Sequence, residues 1–251
     1  MLKSIKNLIA ISVAVLSATT VSAADFIDFG PAKRLLEIDV HVNAGGSTIT
    51  QNYKKCFPQI RDMNVNTGLN LGVGARAVFG LRGWLGFGTA VDVSLNNYNF
   101  DLTVLDAENS SMSAVYVDNR TYRLNFPVFM SFRFNVDRNV RWNVDAGLYY
   151  SYGFGGRQKQ RIYRAEINEL EELVAQHITV KTDYYHSAAT FVNSFNRGDI
   201  GLHIGTSLNF GPHLYVGGQF QFGFKNAARP NGVVNPNIHN IDLHASLGYR
   251  F

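Results

Sequence analysis

His41, His203 and His244 share their parity along the chain with Asp39, Asp199 and Asp242. Imidazole beside carboxylate is the raw material of a metal site or of a general-base pair. The spacing supports neither, because the three histidines come from three distant segments with no short ligand interval such as H-x-x-x-H. Around them stand six acids, Glu37, Asp39, Asp92, Asp145, Asp199 and Asp242, and six bases, Arg76, Arg123, Arg133, Arg141, Lys225 and Arg250. All fall on the polar parity of alternating segments. Such a set reads as a closed network of ion pairs and hydrogen bonds, since a buried charge without a partner is costly. A gated pore or proton path is the sharper alternative. No serine-histidine or cysteine nucleophile signature accompanies these residues, and Gly155-Gly156 lacks the strand–glycine loop–helix unit of a phosphate cradle. Neither metal nor cofactor is expected, and Cys56 reads as incidental to any chemistry.

The elements that must position these side chains are strands. From Thr121 to Phe134, Tyr122, Leu124, Phe126, Val128, Met130, Phe132 and Phe134 share one face, and Arg123, Asn125 and Arg133 lie on the other. After the polar turn NVDRNV, Val144, Ala146, Leu148, Tyr150 and Tyr152 alternate with Asn143, Asp145 and Ser151. Side chains alternate faces along a strand, so each arm has one apolar and one polar face. These arms exceed ordinary globular strands and match the roughly 9–11 tilted residues that cross a bilayer. The same alternation recurs at about 35–45, 69–79, 84–95, 199–210, 213–225 and 240–251. Across all eight segments no charge falls on the apolar parity. Lipid exposure would enforce that exclusion, because a Lys or Arg on the lipid face at the midplane costs about 2–4 kcal/mol.

The expected fold is therefore all-β: a transmembrane, eight-stranded, antiparallel up-and-down β-barrel with an interior that side chains just fill. Trp84, Phe132, Phe134, Trp142, Phe210, Tyr249 and Phe251 gather at one set of strand ends, and Tyr98, Tyr122, Tyr152 and Phe154 at the other, as two interfacial girdles. Gly80–Gly83, Asn135–Val140 and Gly211-Pro212 form tight turns, whereas connections at about 46–68, 96–121, 155–198 and 226–239 are long. Short periplasmic turns and long extracellular loops are the barrel pattern, which puts both termini in the periplasm. In the second long loop Phe100, Leu102 and Val104 alternate, so a hairpin can continue beyond the bilayer. In the third, Ile167, Leu170, Val174 and Ile178 stand at helical spacing within Arg161–Ile178, which predicts a short amphipathic helix.

Residues 1–23 read as a secretory signal peptide, with Lys3 and Lys6, the apolar run Leu8–Leu16 and the small-residue site Val21-Ser22-Ala23. The barrel domain then occupies 24–251. Without Lys3 and Lys6 the chain carries 21 basic and 19 acidic residues. A net charge of +2 on an exported chain does not suit nucleic acid. One cysteine allows no internal disulfide.

Tyr122–Phe134 (YRLNFPVFMSFRF) is similar to a strand of the PorT-like/OmpA-like outer-membrane β-barrel domain family, with Phe126-Pro127 at that family's Ile-Pro position. Asp199–Gly205 and the ending Leu247-Gly-Tyr-Arg-Phe251 resemble two more of its strands. The resemblance implies an eight-stranded barrel in the outer membrane of a diderm bacterium. It also implies that Tyr249 and Phe251 belong to a signal read by the barrel-assembly machinery. These motifs specify a fold and no activity. The expected function is non-enzymatic: a structural barrel, or one that binds an extracellular or envelope partner through its outer loops. A narrow pore or a component of a secretion or transport assembly is the alternative, ahead of a barrel enzyme acting on lipid or peptide. Its expected surroundings are outer-membrane lipid and the assembly machinery, and its expected state a monomer.

Overall fold

In the computed structural model, residues 26–106, 111–167, 172–186, 194–229 and 236–251 are described; the signal-peptide reading of 1–23 lies outside them. Among the described residues, alternating apolar and polar side chains produce nine antiparallel strands: β1 (Leu36–Thr50), β2 (Ile60–Gly80), β3 (Leu85–Asp106), β4 (Ser111–Asp137), β5 (Val140–Ile167), β6 (Leu173–Asp183), β7 (Gly198–Phe210), β8 (Leu214–Gly223) and β9 (His239–Arg250). One short helix, α1 (Tyr53–Cys56), lies between β1 and β2. Strands β1, β2, β3, β4, β5, β7, β8 and β9 pair in that order, and β9 returns to β1, with Val40 opposite Tyr249. The sheet closes into a ring of eight.

The ring turns the usual distribution inside out. Leu36, Ile38, Val40, Val42, Leu71, Val73, Val93, Val128, Leu148 and Ile200 are exposed on the outer wall, while 33 of the described polar or charged residues are buried. An apolar outer wall around a polar interior is what a lipid solvent selects. At the turn end, Trp84 packs on Phe132 and Phe134 on Trp142, while Tyr249 meets Phe251 edge-on. At the opposite end Tyr122 packs on Phe154. Tyr98, expected in that girdle, instead points inward and is buried. Its parity matches Asp92, Ser94 and Asn96, so the wall periodicity already assigned it to the interior.

Only about half of each longest strand is needed to cross the bilayer. β4 and β5 have 27 and 28 residues, against the roughly 9–11 of a spanning strand. Their upper halves join those of β2 and β3, together with β6, in a five-stranded sheet that rises from the barrel's loop end. Two bulges mark the transition. Between Tyr122 and Arg123 the pairing on β5 steps from Gly155 to Gly153. Between Thr67 and Asn70 the partner on β3 moves only from Tyr98 to Asn96. Each extra residue flips the parity of its strand. Gln158 and Gln160 therefore face inward, although Asp145, Tyr149 and Ser151 did so below the bulge.

The helix expected in Arg161–Ile178 does not form. Its described residues pair as an extended hairpin, with Ile162 opposite Ile178 and Ile167 opposite Leu173. Ile167 and Ile178 are exposed rather than lined up on one buried stripe; Leu170 lies outside the described residues. The β5–β6 pair is rich in β-branched residues, among them Ile162, Val174, Ile178, Thr179, Val180 and Thr182. These favour a pleated, paired surface over a helix.

Candidate functional site: the charged lumen and its cap

At the turn end of the lumen, Glu37 of β1 is gripped by three arginines. Arg141 of β5 donates through both terminal nitrogens, Nη1 at 3.0 Å from Oε1 and Nη2 to Oε2. Arg250 of β9 donates to Oε2 at 3.3 Å, and Arg133 of β4 lies 3.5 Å from Oε1. One carboxylate thus ties four strands of the ring together.

Midway along the barrel the balance reverses. Arg76 of β2 meets Asp145 of β5 at 2.7 Å and Asp39 of β1 at 3.5 Å, with its guanidinium between the rings of Phe129 and Tyr215. His41 bridges two acids, with Nε2 at 2.7 Å from Asp92 and Nδ1 at 3.5 Å from Asp39. Asn43 donates to the same Asp92 oxygen at 3.3 Å. Toward the loop end, Arg123 of β4 lies 3.5 Å from Asp242 and donates to Asn240 at 2.7 Å. Asn240 and Tyr149 both donate to Asp199, at 2.8 and 3.1 Å.

The lumen therefore gathers Glu37, Asp39, His41, Arg76, Asp92, Arg123, Arg133, Asp145, Asp199, His203, Asp242, His244 and Arg250, all of them buried. Arg141 belongs to the same network but is partly exposed at the turn-end mouth. Lys225, expected to face inward, is exposed just past the end of β8. The histidines do not converge on one site: His41 contacts acids, His203 lies 3.3 Å from the amide of Gln221, and His244 lies 3.3 Å from that of Asn70. Among the described residues, no three of His, Cys, Asp and Glu are arranged to hold a metal ion.

Above this polar column the inward face becomes apolar. On β3, Tyr98, Phe100, Leu102 and Val104 follow Asn96 on the interior parity, and Val115 and Val117 join them from β4. Tyr53 of α1 and Tyr184, Tyr185, Phe195 and Ile238 of the loops complete a buried cluster that caps the barrel. Tyr184 stacks flat on Phe195 with ring centres 4.2 Å apart, and its hydroxyl lies 2.7 Å from that of Tyr98. Burial pushes both phenols well above their ordinary range. Loop packing of this kind carries no local motif; the one signal available was the run of apolar residues on the inward parity of β3. Cys56 sits at the end of α1, half-buried, with its sulfur 3.7 Å from the Asn52 side chain.

Several solved barrels are similar in outline. Ail, the attachment invasion locus protein of Yersinia pestis, solved with the heparin analogue sucrose octasulfate, is 9% identical; the match covers 87% of this chain and 100% of that one, at a TM-score of 0.37. The outer membrane protease OmpT of Escherichia coli is 10% identical over 86% and 96%, at 0.44. The outer membrane protein OprG of Pseudomonas aeruginosa is 9% identical over 90% and 99%, at 0.32. Likenesses this distant carry nothing about activity. No curated protein matches the sequence. A family model does match, over residues 24–229. The chain belongs to the outer membrane protein beta-barrel domain family, which implies a location in the bacterial outer membrane.

Proposed function

We propose that this protein is a non-enzymatic outer-membrane barrel that presents a binding surface through its loop-end sheet. The observation that carries this reading is the closure of its interior. A column of buried ion pairs fills the bore, and an apolar cluster of loop residues seals one end. The His41–Asp92 contact is the arrangement nearest to a catalytic pair, and its imidazole is fully enclosed, which leaves a substrate no approach. What remains accessible is the five-stranded sheet above the bilayer, where Tyr116, Tyr163, Ile167, Leu173 and Ile178 are exposed. Arg161 lies over the Tyr116 ring, and the rings of Tyr163 and His177 meet at a tilt, 4.6 Å between centres. Among the described residues β6 pairs only with β5 and so offers an edge for strand addition. An extracellular or envelope partner that docks as an added strand suits this surface.

The loop end faces outward in this reading, the turns face the periplasm, and the barrel acts as a monomer delivered by the assembly machinery through Tyr249 and Phe251. Kinship with the PorT-like branch rests on the Phe126-Pro127 strand and the closing Leu247–Phe251 segment. A narrow pore within a transport assembly is the second reading, favoured by the succession of carboxylates and imidazoles along the bore. Planar-bilayer recording separates the two. The intact barrel is expected to show no steady conductance, and a reproducible open channel in the unmodified protein would establish the pore instead.

A further inference from the structure

The charges of the lumen are segregated along its axis. In the middle tier Arg76 pairs with Asp39 and Asp145 and His41 with Asp92, whereas at the turn end the guanidiniums of Arg133, Arg141 and Arg250 share Glu37 as their one ion-pair partner among the described residues. Both Glu37 oxygens are occupied twice, Oε1 by Arg141 and Arg133 and Oε2 by Arg141 and Arg250. A carboxylate has about four lone-pair sites, so Glu37 has no capacity left. Arg133 is almost fully buried, yet its Nη2 has no hydrogen-bond partner among the described residues, and the same holds for Arg141 Nε. The nearest deeper acids, Asp39 and Asp145, already pair with Arg76 through one oxygen each. At the rim, Lys33 pairs with Asp28 at 3.4 Å, and Arg34 donates to the main-chain oxygen of Phe251 at 3.2 Å. These side chains line a cavity of about 230 Å³. An excess of two positive charges over Glu37, with Arg133 and Arg250 buried, is unfavourable without a counter-ion.

We propose that this turn-end cavity binds a phosphate-class oxyanion between Arg133, Arg141 and Arg250. Planar guanidinium forks match the oxygens of phosphate in bidentate geometry, and a dianion balances the excess of two. The same chemistry is supplied by free phosphate or by the phosphomonoester head of a lipid. Lys33, highly exposed at the rim, is placed to meet either one first. The proposal does not depend on which way the barrel faces or on what the loop-end sheet binds.

The test uses the full folded chain in phosphate-free maltoside micelles. Inorganic phosphate is titrated calorimetrically, with sodium chloride at matched ionic strength as the control. Saturable binding of one phosphate per barrel, absent with chloride, is expected. Arg133→Gln should weaken it at least tenfold, and Glu37→Gln should tighten it severalfold by removing the competing negative charge and freeing donors of Arg133 and Arg141 and the Nη1 of Arg250. Short-chain phosphatidic acid in mixed micelles identifies the source: tighter binding than free phosphate assigns a lipid head, and equal or weaker binding assigns the free ion. No saturable binding of either probe, or a matching response to chloride, overturns the site. Unchanged affinity in a folded Arg133→Gln or Glu37→Gln barrel does the same. If neither variant retains heat-modifiable mobility, the phosphate and chloride titrations of the unmodified chain decide alone.

Discussion

Replacing Arg76 by methionine keeps the bulk of the side chain and removes its charge from the middle of the lumen. Asp145 and Asp39 then lose their guanidinium, but not equally. Asp39 keeps the imidazole of His41 at 3.5 Å, whereas Asp145 has no other ion-pair partner among the described residues and its Oδ1 is already unsatisfied. Both carboxylates are almost fully buried, and so is the arginine. The change therefore resembles breaking one buried pair, at a cost of about 3–5 kcal/mol. The lost stacking of the guanidinium on Phe129 and Tyr215 adds about 1 kcal/mol, offset in part by the apolar methionine. Adding Asp145→Asn should recover at least half of the loss, because the orphaned charge disappears with it. The assay is urea unfolding in lipid vesicles, followed by the shift in gel mobility between folded and boiled barrel. Stability of Arg76→Met within about 1 kcal/mol of the parent, or no recovery in the double variant, would refute the account of the lumen as a mutually dependent ion network.

Three further outcomes are expected. Cysteine at Lys181, exposed on β6, should react with an impermeant maleimide on whole cells while cysteine at Arg138, in the β4–β5 turn, should not; the reverse pattern inverts the topology. Gly88→Val should destabilise the barrel by about 1–3 kcal/mol in the same unfolding assay, because a Cβ at Gly88 would come within 2.3 Å of the Phe129 ring that flanks Arg76; full stability would show that the ring moves freely. Tyr98 and Tyr184 hold phenol pKa values raised by burial, so their contribution is complete below the unfolded value of about 10 and is lost as pH climbs above it. Phenolate absorbance should show Tyr98→Phe removing one late-titrating group, and a titration that matches free tyrosine throughout would mean that the cap is open in solution.

The wall of this barrel was legible because lipid enforces a rule with no local exceptions. Every second residue from Leu36 to Val42, or from Tyr122 to Phe134, meets hydrocarbon or interface, so parity alone located the strands and put Glu37, Asp92 and Asp242 inside. The same rule yielded the girdles, apart from Tyr98. Which lumen residues touch was not legible, since parity gives a face but no height. His41, His203 and His244 share a face, yet they rest against acids, an amide of Gln221 and an amide of Asn70 in turn. Height depends on stagger around the ring, and stagger is a property of all eight pairings together.

Above the bilayer the lipid rule lapses, and the helix expected in Arg161–Ile178 fails there. Bulges at Tyr122/Arg123 and Thr67/Asn70 flip the parity of β5 and β2, so a pattern extrapolated from the wall points to the wrong face. The hairpin of β5 and β6 mimicked a helix because four apolar residues spread over twelve positions fit a 3.6-residue period as readily as they fit two paired strands. In the folded chain Ile162 meets Ile178 and Ile167 meets Leu173 across the pair, a mirror arrangement that no single-strand period describes. The exposure of Ile167, Leu173 and Ile178 then has a consequence that a helical lid would not have had. A lid would have buried those side chains on the barrel mouth. A two-faced extended hairpin leaves them, and the β6 edge that has no strand partner among the described residues, directed at whatever the protein meets.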